Sequence, residues 1–165
     1  MYDSLRIAKD LLYDKCDFEF SQLQIQKESS EYEACSFKLN DKLIQYRKAK
    51  ITPTKTGQFV TIWKRNTDGI TEPFSYLDTL DFIVITVIKE TNRGQFIFPK
   101  ALLLMHSIIK NETKDGKRGI RVYAPWDKVT SKQAEKTKAW QIGYFVNFDE
   151  ENTSTQDLVK KIING

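Results

Sequence analysis

The sequence predicts a single α/β domain over residues 1–165. Three observations carry that reading: apolar residues recur at helical spacing at both ends, β-favouring runs fill the middle, and no repeat or low-complexity linker divides the chain. A domain of this length buries on the order of 70% of its unfolded surface in one core. At the N-terminus, Leu5, Ile7, Ala8, Leu11 and Leu12 form one stripe of an amphipathic helix over Asp3 to Lys15, with Asp3 placed to cap it. The segments Phe18 to Lys27 and Tyr32 to Leu39 are short and mixed, and read as strand or irregular chain. Leu43 to Ile51 and Gln58 to Arg65 are β-favouring runs joined by Thr52-Pro53-Thr54-Lys55-Thr56-Gly57, so a hairpin is expected there. Asp81 to Lys89 is apolar almost throughout, as a strand buried on both faces would be, and Asn92-Arg93-Gly94 is expected to turn it into Gln95 to Phe98.

Pro99 stands where a helix can begin without its missing N–H, and Ala101 to Ile109 reads as a buried helix. A polar loop, Asn111 to Gly119, leads to a short strand at Ile120 to Tyr123. Thr130-Ser131-Lys132-Gln133 has the spacing of a capping box opening a helix to about Lys138, and Trp140, Ile142, Tyr144, Val146 and Phe148 alternate as a strand. Thr153 and Gln156 form a second capping box before Leu158, Val159, Ile162 and Ile163, the stripe of a final amphipathic helix.

Composition bounds the function. The two cysteines, Cys16 and Cys35, are too few for a disulfide framework and no signal peptide is evident, which points to a cytoplasmic protein. No apolar run approaches the roughly 20 residues that span a bilayer, so no membrane partner is expected. Net charge is only +4, but residues 42–67 hold 7 basic and no acidic side chains, and residues 114–138 hold 8 against 3. Two basic blocks therefore stand in an otherwise acidic chain.

Within and beside these blocks, cations neighbour aromatics: Tyr46 with Arg47, Lys48 and Lys50; Trp63 with Lys64 and Arg65; Tyr123 with Arg121; Trp126 with Lys128. Cations neutralise phosphates and aromatic faces stack on unpaired bases, the combination used to hold single strands and RNA. The expected binding set is Arg47, Lys48, Lys50, Lys55, Lys64, Arg65, Lys100, Lys117, Arg118, Arg121, Lys132 and Gln133, with Tyr46, Trp63, Tyr123 and Trp126 for stacking. The expected partner is single-stranded DNA or RNA rather than a sequence-specific duplex.

Signals for chemistry are absent. The lone histidine, His106, lies in an apolar run; there is no glycine-rich phosphate loop; and Cys16 and Cys35 stand alone, with no second Cys or His at metal-ligand spacing. No catalytic residue, metal or cofactor is expected. A metal-dependent nuclease using Asp78, Asp81 or acids of the N-terminal third, and a protein-interaction or anionic-ligand sensor domain, are the alternatives.

Several strings taken jointly resemble the MepB family: Tyr46-Arg47-Lys48-Ala49-Lys50 continuing to Val60, Gly94-Gln95-Phe96-Ile97-Phe98-Pro99-Lys100, and Gly116-Lys117-Arg118-Gly119-Ile120-Arg121-Val122-Tyr123. Ala124-Pro125-Trp126, Lys132-Gln133-Ala134 and Trp140-Gln141 extend the match. The resemblance implies a bacterial cytoplasmic protein, in some genomes encoded beside a multidrug efflux pump. It also implies a central mixed sheet flanked by helices, similar to the PD-(D/E)xK nucleases. Their acid-x-Lys signature is missing, since Lys48-Ala49-Lys50 supplies the lysine without the acid.

Overall fold

The computed structural model describes residues 1–150 and 153–165. In chain order, helix α1 (Asp3–Ala8) runs on through a π-helical turn, Lys9–Tyr13, and a 3-10 turn, Asp14–Cys16. Strands β1 (Phe20–Ile25), β2 (Cys35–Leu39) and β3 (Lys42–Lys48) follow, then β4 (Lys50–Ile51), β5 (Gln58–Thr61), β6 (Trp63–Arg65) and β7 (Thr71–Pro73). The long hairpin β8 (Phe82–Lys89) and β9 (Asn92–Pro99) leads into α2 (Lys100–Met105), β10 (Gly119–Val122), α3 (Lys132–Gln141), β11 (Phe145–Asn147) and α4 (Thr153–Asn164).

The main sheet has the order β1-β2-β3-β8-β9-β11 and is mixed: β3 and β8 run parallel, and the other neighbours antiparallel. Strand β8 explains its apolar sequence, because successive residues point to opposite faces and both faces are covered. Phe82 and Val84 join a core with Leu5 and Leu12 of the N-terminal helical segment and Val159 and Ile163 of α4. Ile83, Ile85 and Val87 join a second core with Val60, Ile62, Leu103 and Val122. The first core carries a buried polar chain: Ser4 Oγ lies 2.7 Å from the Tyr46 hydroxyl, which donates to Thr86 Oγ1 at 2.7 Å, while Ser4 donates to Glu33 at 2.7 Å. Burial raises the Tyr46 pKa, so the phenol stays protonated and donates.

A parallel pair cannot be closed by a tight turn. The chain therefore leaves the main sheet after β3, and residues 49–81 cross over before β8 begins. Most of a second sheet, β10-β5-β4, is built from this crossover, as is the small β6–β7 hairpin. The expected basic hairpin is corrected accordingly. Ala49 still donates to Thr86 of the main sheet, and the antiparallel pairing across the loop is confined to Lys50 with Phe59 and Ile51 with Gln58.

Other expectations shift for local reasons. Asp3 lies in the first turn of α1, with Tyr2 at the cap position, although the helical segment spans the expected range. The apolar segment after Pro99 is helical only to Met105; Ser107 takes φ 55°, and Ile108 and Ile109 are buried as irregular chain. The β8–β9 turn falls at Glu90 and Thr91, with Glu90 at φ 57°, so Asn92 already belongs to the return strand. Ser131, not Thr130, caps α3, its Oγ accepting from the Ala134 amide at 3.1 Å. The strand expected from Trp140 is reduced to Phe145–Asn147, because α3 continues through Gln141 and a 3-10 turn occupies Ile142–Tyr144. Thr153 is the first residue of α4, and its cap position lies outside the described residues. Among the described residues, no helix is long and apolar enough to cross a membrane.

Gly94 fixes where β11 can approach β9. A Cβ there would sit 2.3 Å from Phe145 Cζ and 2.6 Å from the Val146 carbonyl oxygen. Gly94→Ala is expected to cost roughly 1–3 kcal/mol through overpacking, read as a lower urea midpoint; an unchanged midpoint would contradict this packing.

Candidate nucleic-acid interface

The loop between β4 and β5 is held by β10. Arg121 directs one guanidinium nitrogen at Thr52 Oγ1 (3.0 Å) and at the carbonyls of Thr56 and Gly57 (both 3.3 Å). Gly57, at φ 81°, lets the loop close on Tyr123 and Val122, where an added Cβ would lie 2.7 Å from each. Helix α3 docks on the same strand through Gln141, which is fully buried: its amide oxygen accepts from Tyr123 N at 2.9 Å, and its nitrogen donates to the Arg121 carbonyl at 3.1 Å. Loop, strand and helix are thus tied together by side-chain amide and guanidinium contacts.

Between them runs an open groove of about 710 Å³. Lys55 of the first basic block and Lys117 and Arg121 of the second line it, with Tyr123, Trp140 and His106 as aromatic walls. His106 and Trp140 stack with ring centroids 4.1 Å apart and planes 11° off parallel. Ser131 and Gln133 bring the N-terminal turn of the ten-residue α3 to the rim, a position that favours anions. Among the described residues, no Asp or Glu lines this groove. Among the described residues, Lys55, Lys117 and Arg121 enter no ion pair.

A second groove, about 590 Å³, lies on the other side of the loop and shares Thr54, Lys55 and Thr56 with the first. Lys89, Lys128, Trp126 and Gln58 line it. Its one carboxylate, Asp127, is buried and accepts from the Ala124 amide at 2.8 Å.

Of the residues expected from sequence, Lys55, Lys117, Arg121, Gln133, Tyr123 and Trp126 are therefore gathered at the two grooves. Lys132 and Arg118 are exposed beside them, and Arg118 donates to the Thr71 carbonyl at 3.2 Å. Tyr46 and Arg47 are corrected: they are 0% and 1% exposed, so neither can touch a surface ligand. Alternation on β3 sends Tyr46 into the first core, while Arg47 points the other way, beneath the Phe74 ring of the crossover at 5.8 Å. Without a carboxylate partner among the described residues, burial lowers the Arg47 pKa to about 10.

Other cations are engaged elsewhere. Lys64 reaches Asp78 at 2.6 Å and Glu72 at 3.4 Å; burial works against its charge, but the two acids outweigh it and raise its pKa. Lys50 pairs with Glu31 at 3.5 Å, and Arg65 pairs with Glu28 at 3.6 Å while lying over Trp63. Lys100 donates to the Asp78 carbonyl. Lys48, half-buried at the end of β3, lines neither groove. His106, Trp140, Lys89 and Gln58 stand outside the expected binding set: Gln58 lies in the first basic block but is uncharged, the other three lie outside both blocks, and only the tertiary fold brings them to the loop.

The two aspartates considered for a metal serve the backbone. Asp78 accepts from Ser75 N at 2.7 Å and Asp81 from Leu43 N at 2.8 Å. Among the described residues, no group of three His, Cys, Asp or Glu side chains could hold a metal ion. Burial pushes the Cys35 thiol up to about 12, although the neighbouring Arg47 pulls the other way, so it is a poor nucleophile at neutral pH.

These features define a mixed α/β protein with two cation-lined grooves flanking one anchored loop. The MepB-like family model matches residues 26–147, and the chain belongs to that family. A solved structure titled "Crystal Structure of MepB" is 34% identical, covers 92% of this chain and 100% of its own, and superposes with a TM-score of 0.79. No curated protein matches this chain.

A buried charge without an ionic partner keeps an uncompensated desolvation cost, which an apolar side chain of similar reach removes; Arg47 Nη1 donates to the Tyr46 carbonyl at 2.8 Å, but its Nε has no partner among the described residues. Arg47→Met is accordingly expected to hold or raise the melting temperature and to leave surface binding unchanged. A loss of anion or nucleic-acid affinity in that folded variant would contradict the burial of Arg47.

Proposed function

We propose that this chain binds single-stranded nucleic acid, DNA or RNA, in the grooves beside the Thr52–Gly57 loop, without cutting it. The observation that carries this reading is the first groove, where Lys55, Lys117 and Arg121 from both basic blocks meet aromatic walls and no described residue supplies a carboxylate. Coulomb attraction to phosphate falls when a cation already faces a carboxylate, so Lys55 and Lys117 contribute more than Lys64 or Arg65. Tyr123 and the His106–Trp140 stack offer flat faces for unpaired bases. In a duplex the bases are already stacked and turned inward, so those faces favour a single strand.

In this reading the six-stranded mixed sheet is a core of the PD-(D/E)xK nuclease kind whose acid-x-Lys signature is gone. Lys48-Ala49-Lys50 closes β3 and opens β4 without an acid, Asp81 is engaged by a backbone amide, and Asp78 by a backbone amide and Lys64. The buried free thiols of Cys16 and Cys35 fit a reducing cytoplasm.

Lys55, Lys89, Lys117, Lys128 and Lys132 give about five phosphate contacts, for which the single-strand slope of log affinity against log salt is about −3.5. Anisotropy with labelled single-stranded DNA, RNA and duplex, with Mg²⁺ or Mn²⁺ present and the products run on a denaturing gel, checks this. Lys55→Ala with Lys117→Ala is expected to weaken binding and flatten the slope by about 1.4. Absence of salt-sensitive binding would overturn the proposal, and cut strands would replace it with the nuclease reading.

A further inference from the structure

Two residues that line the second groove, Gln58 and Trp126, each carry a buried polar atom without a partner among the described residues: Gln58 Oε1 and Trp126 Nε1. An unsatisfied buried donor or acceptor is costly and uncommon enough to call for an explanation. Gln58 is only 3% exposed and is fixed in the middle strand of the small sheet, opposite Ile51 on one side and Val122 on the other. Its Nε2 donates to the Ile88 carbonyl at 3.1 Å, which leaves the amide oxygen as the group lacking a donor. The Trp126 indole packs edge-on against Phe145, centroids 5.5 Å apart at 83°, and its N–H lacks an acceptor. Exposed Lys55, Lys89 and Lys128 also line the groove, with the Thr52–Gly57 loop and buried Asp127.

One acceptor and one donor beneath the wall of a groove that three lysines also line match a ligand that joins a donor-and-acceptor edge to a phosphate. Each nucleobase presents such an edge, whereas a bare sugar-phosphate chain has no planar edge of that kind. We infer that the second groove is a base-reading pocket, in which one unpaired base donates to Gln58 Oε1 and accepts from Trp126 Nε1–H while Lys55, Lys89 and Lys128 hold the flanking phosphates. Because both atoms are sealed from water, the base enters by parting the groove wall, beside the loop that the two grooves share. The inference rests on the nucleic-acid reading and adds to it a distinction between base and backbone.

The test compares the affinity of the full chain for a short single strand and for an abasic strand of the same length at one low salt concentration. The base-bearing strand is expected to bind roughly tenfold more tightly. Trp126→Phe keeps the ring and removes the N–H, and Gln58→Leu removes the acceptor. Each is expected to lose roughly threefold to tenfold on the base-bearing strand and nothing on the abasic one. If Gln58→Leu lowers the melting temperature, Trp126→Phe carries the comparison. A nucleoside monophosphate that displaces the strand better than ribose 5-phosphate supports the pocket, and equal displacement counts against it. Equal losses on both strands, or none, would overturn the inference and leave the two atoms to buried water while backbone binding stands. If neither strand binds the unmodified chain, the nucleic-acid reading itself fails.

Discussion

The parallel pairing of β3 with β8 constrains everything that surrounds the grooves. Ile44 to Lys48 lie beside Phe82 to Thr86 in the same direction, so the chain must travel the length of the sheet before β8 can start. In many α/β domains a helix makes that journey. Here residues 49–81 make it as a small sheet and a short hairpin, and the loop Thr52–Gly57 is the turn within it. Strand β10 then pairs with β5 and places Arg121 and Lys117 against the loop. Two basic blocks far apart in sequence meet because one crossover has to be accommodated.

The same constraint decides which cations are available. Arg47 belongs to β3 itself and is covered by the crossover, so its charge is buried beneath Phe74. Lys64 and Arg65 occupy the distal hairpin and face Asp78, Glu72 and Glu28. Lys55 and Lys117 project where neither sheet supplies an acid, and Arg121 faces the groove while bracing the loop. Charge density in sequence and charge at a surface are separate properties, and topology converts one into the other.

Much of the fold was legible in the sequence. The nearly continuous apolar content of β8, the helical stripe of α4 and the Ser131 region all survive in the structure with small shifts. What was not legible is non-local. Nothing in Leu43–Ile51 or Gln58–Arg65 says that the first run pairs in parallel with a strand beyond residue 80, and without that fact a hairpin is the natural reading. Trp140 and His106 carry no sequence pattern linking them, yet they stack because α3 packs on β10 through Gln141. Of the site residues, Lys55, Lys117, Arg121, Tyr123 and Trp126 were readable from charge and aromatic pairing, whereas Gln58 and Lys89 depend on the sheet register.

The most direct test of the central claim is an amide chemical-shift map of the chain titrated with a short single-stranded oligonucleotide. The groove account requires the largest shifts to fall on the Thr52–Gly57 loop, Lys117–Tyr123 and the first turn of α3, with Lys64, Arg65 and the β6–β7 hairpin little changed. Shifts centred on that hairpin, or spread evenly over every surface lysine, would contradict it.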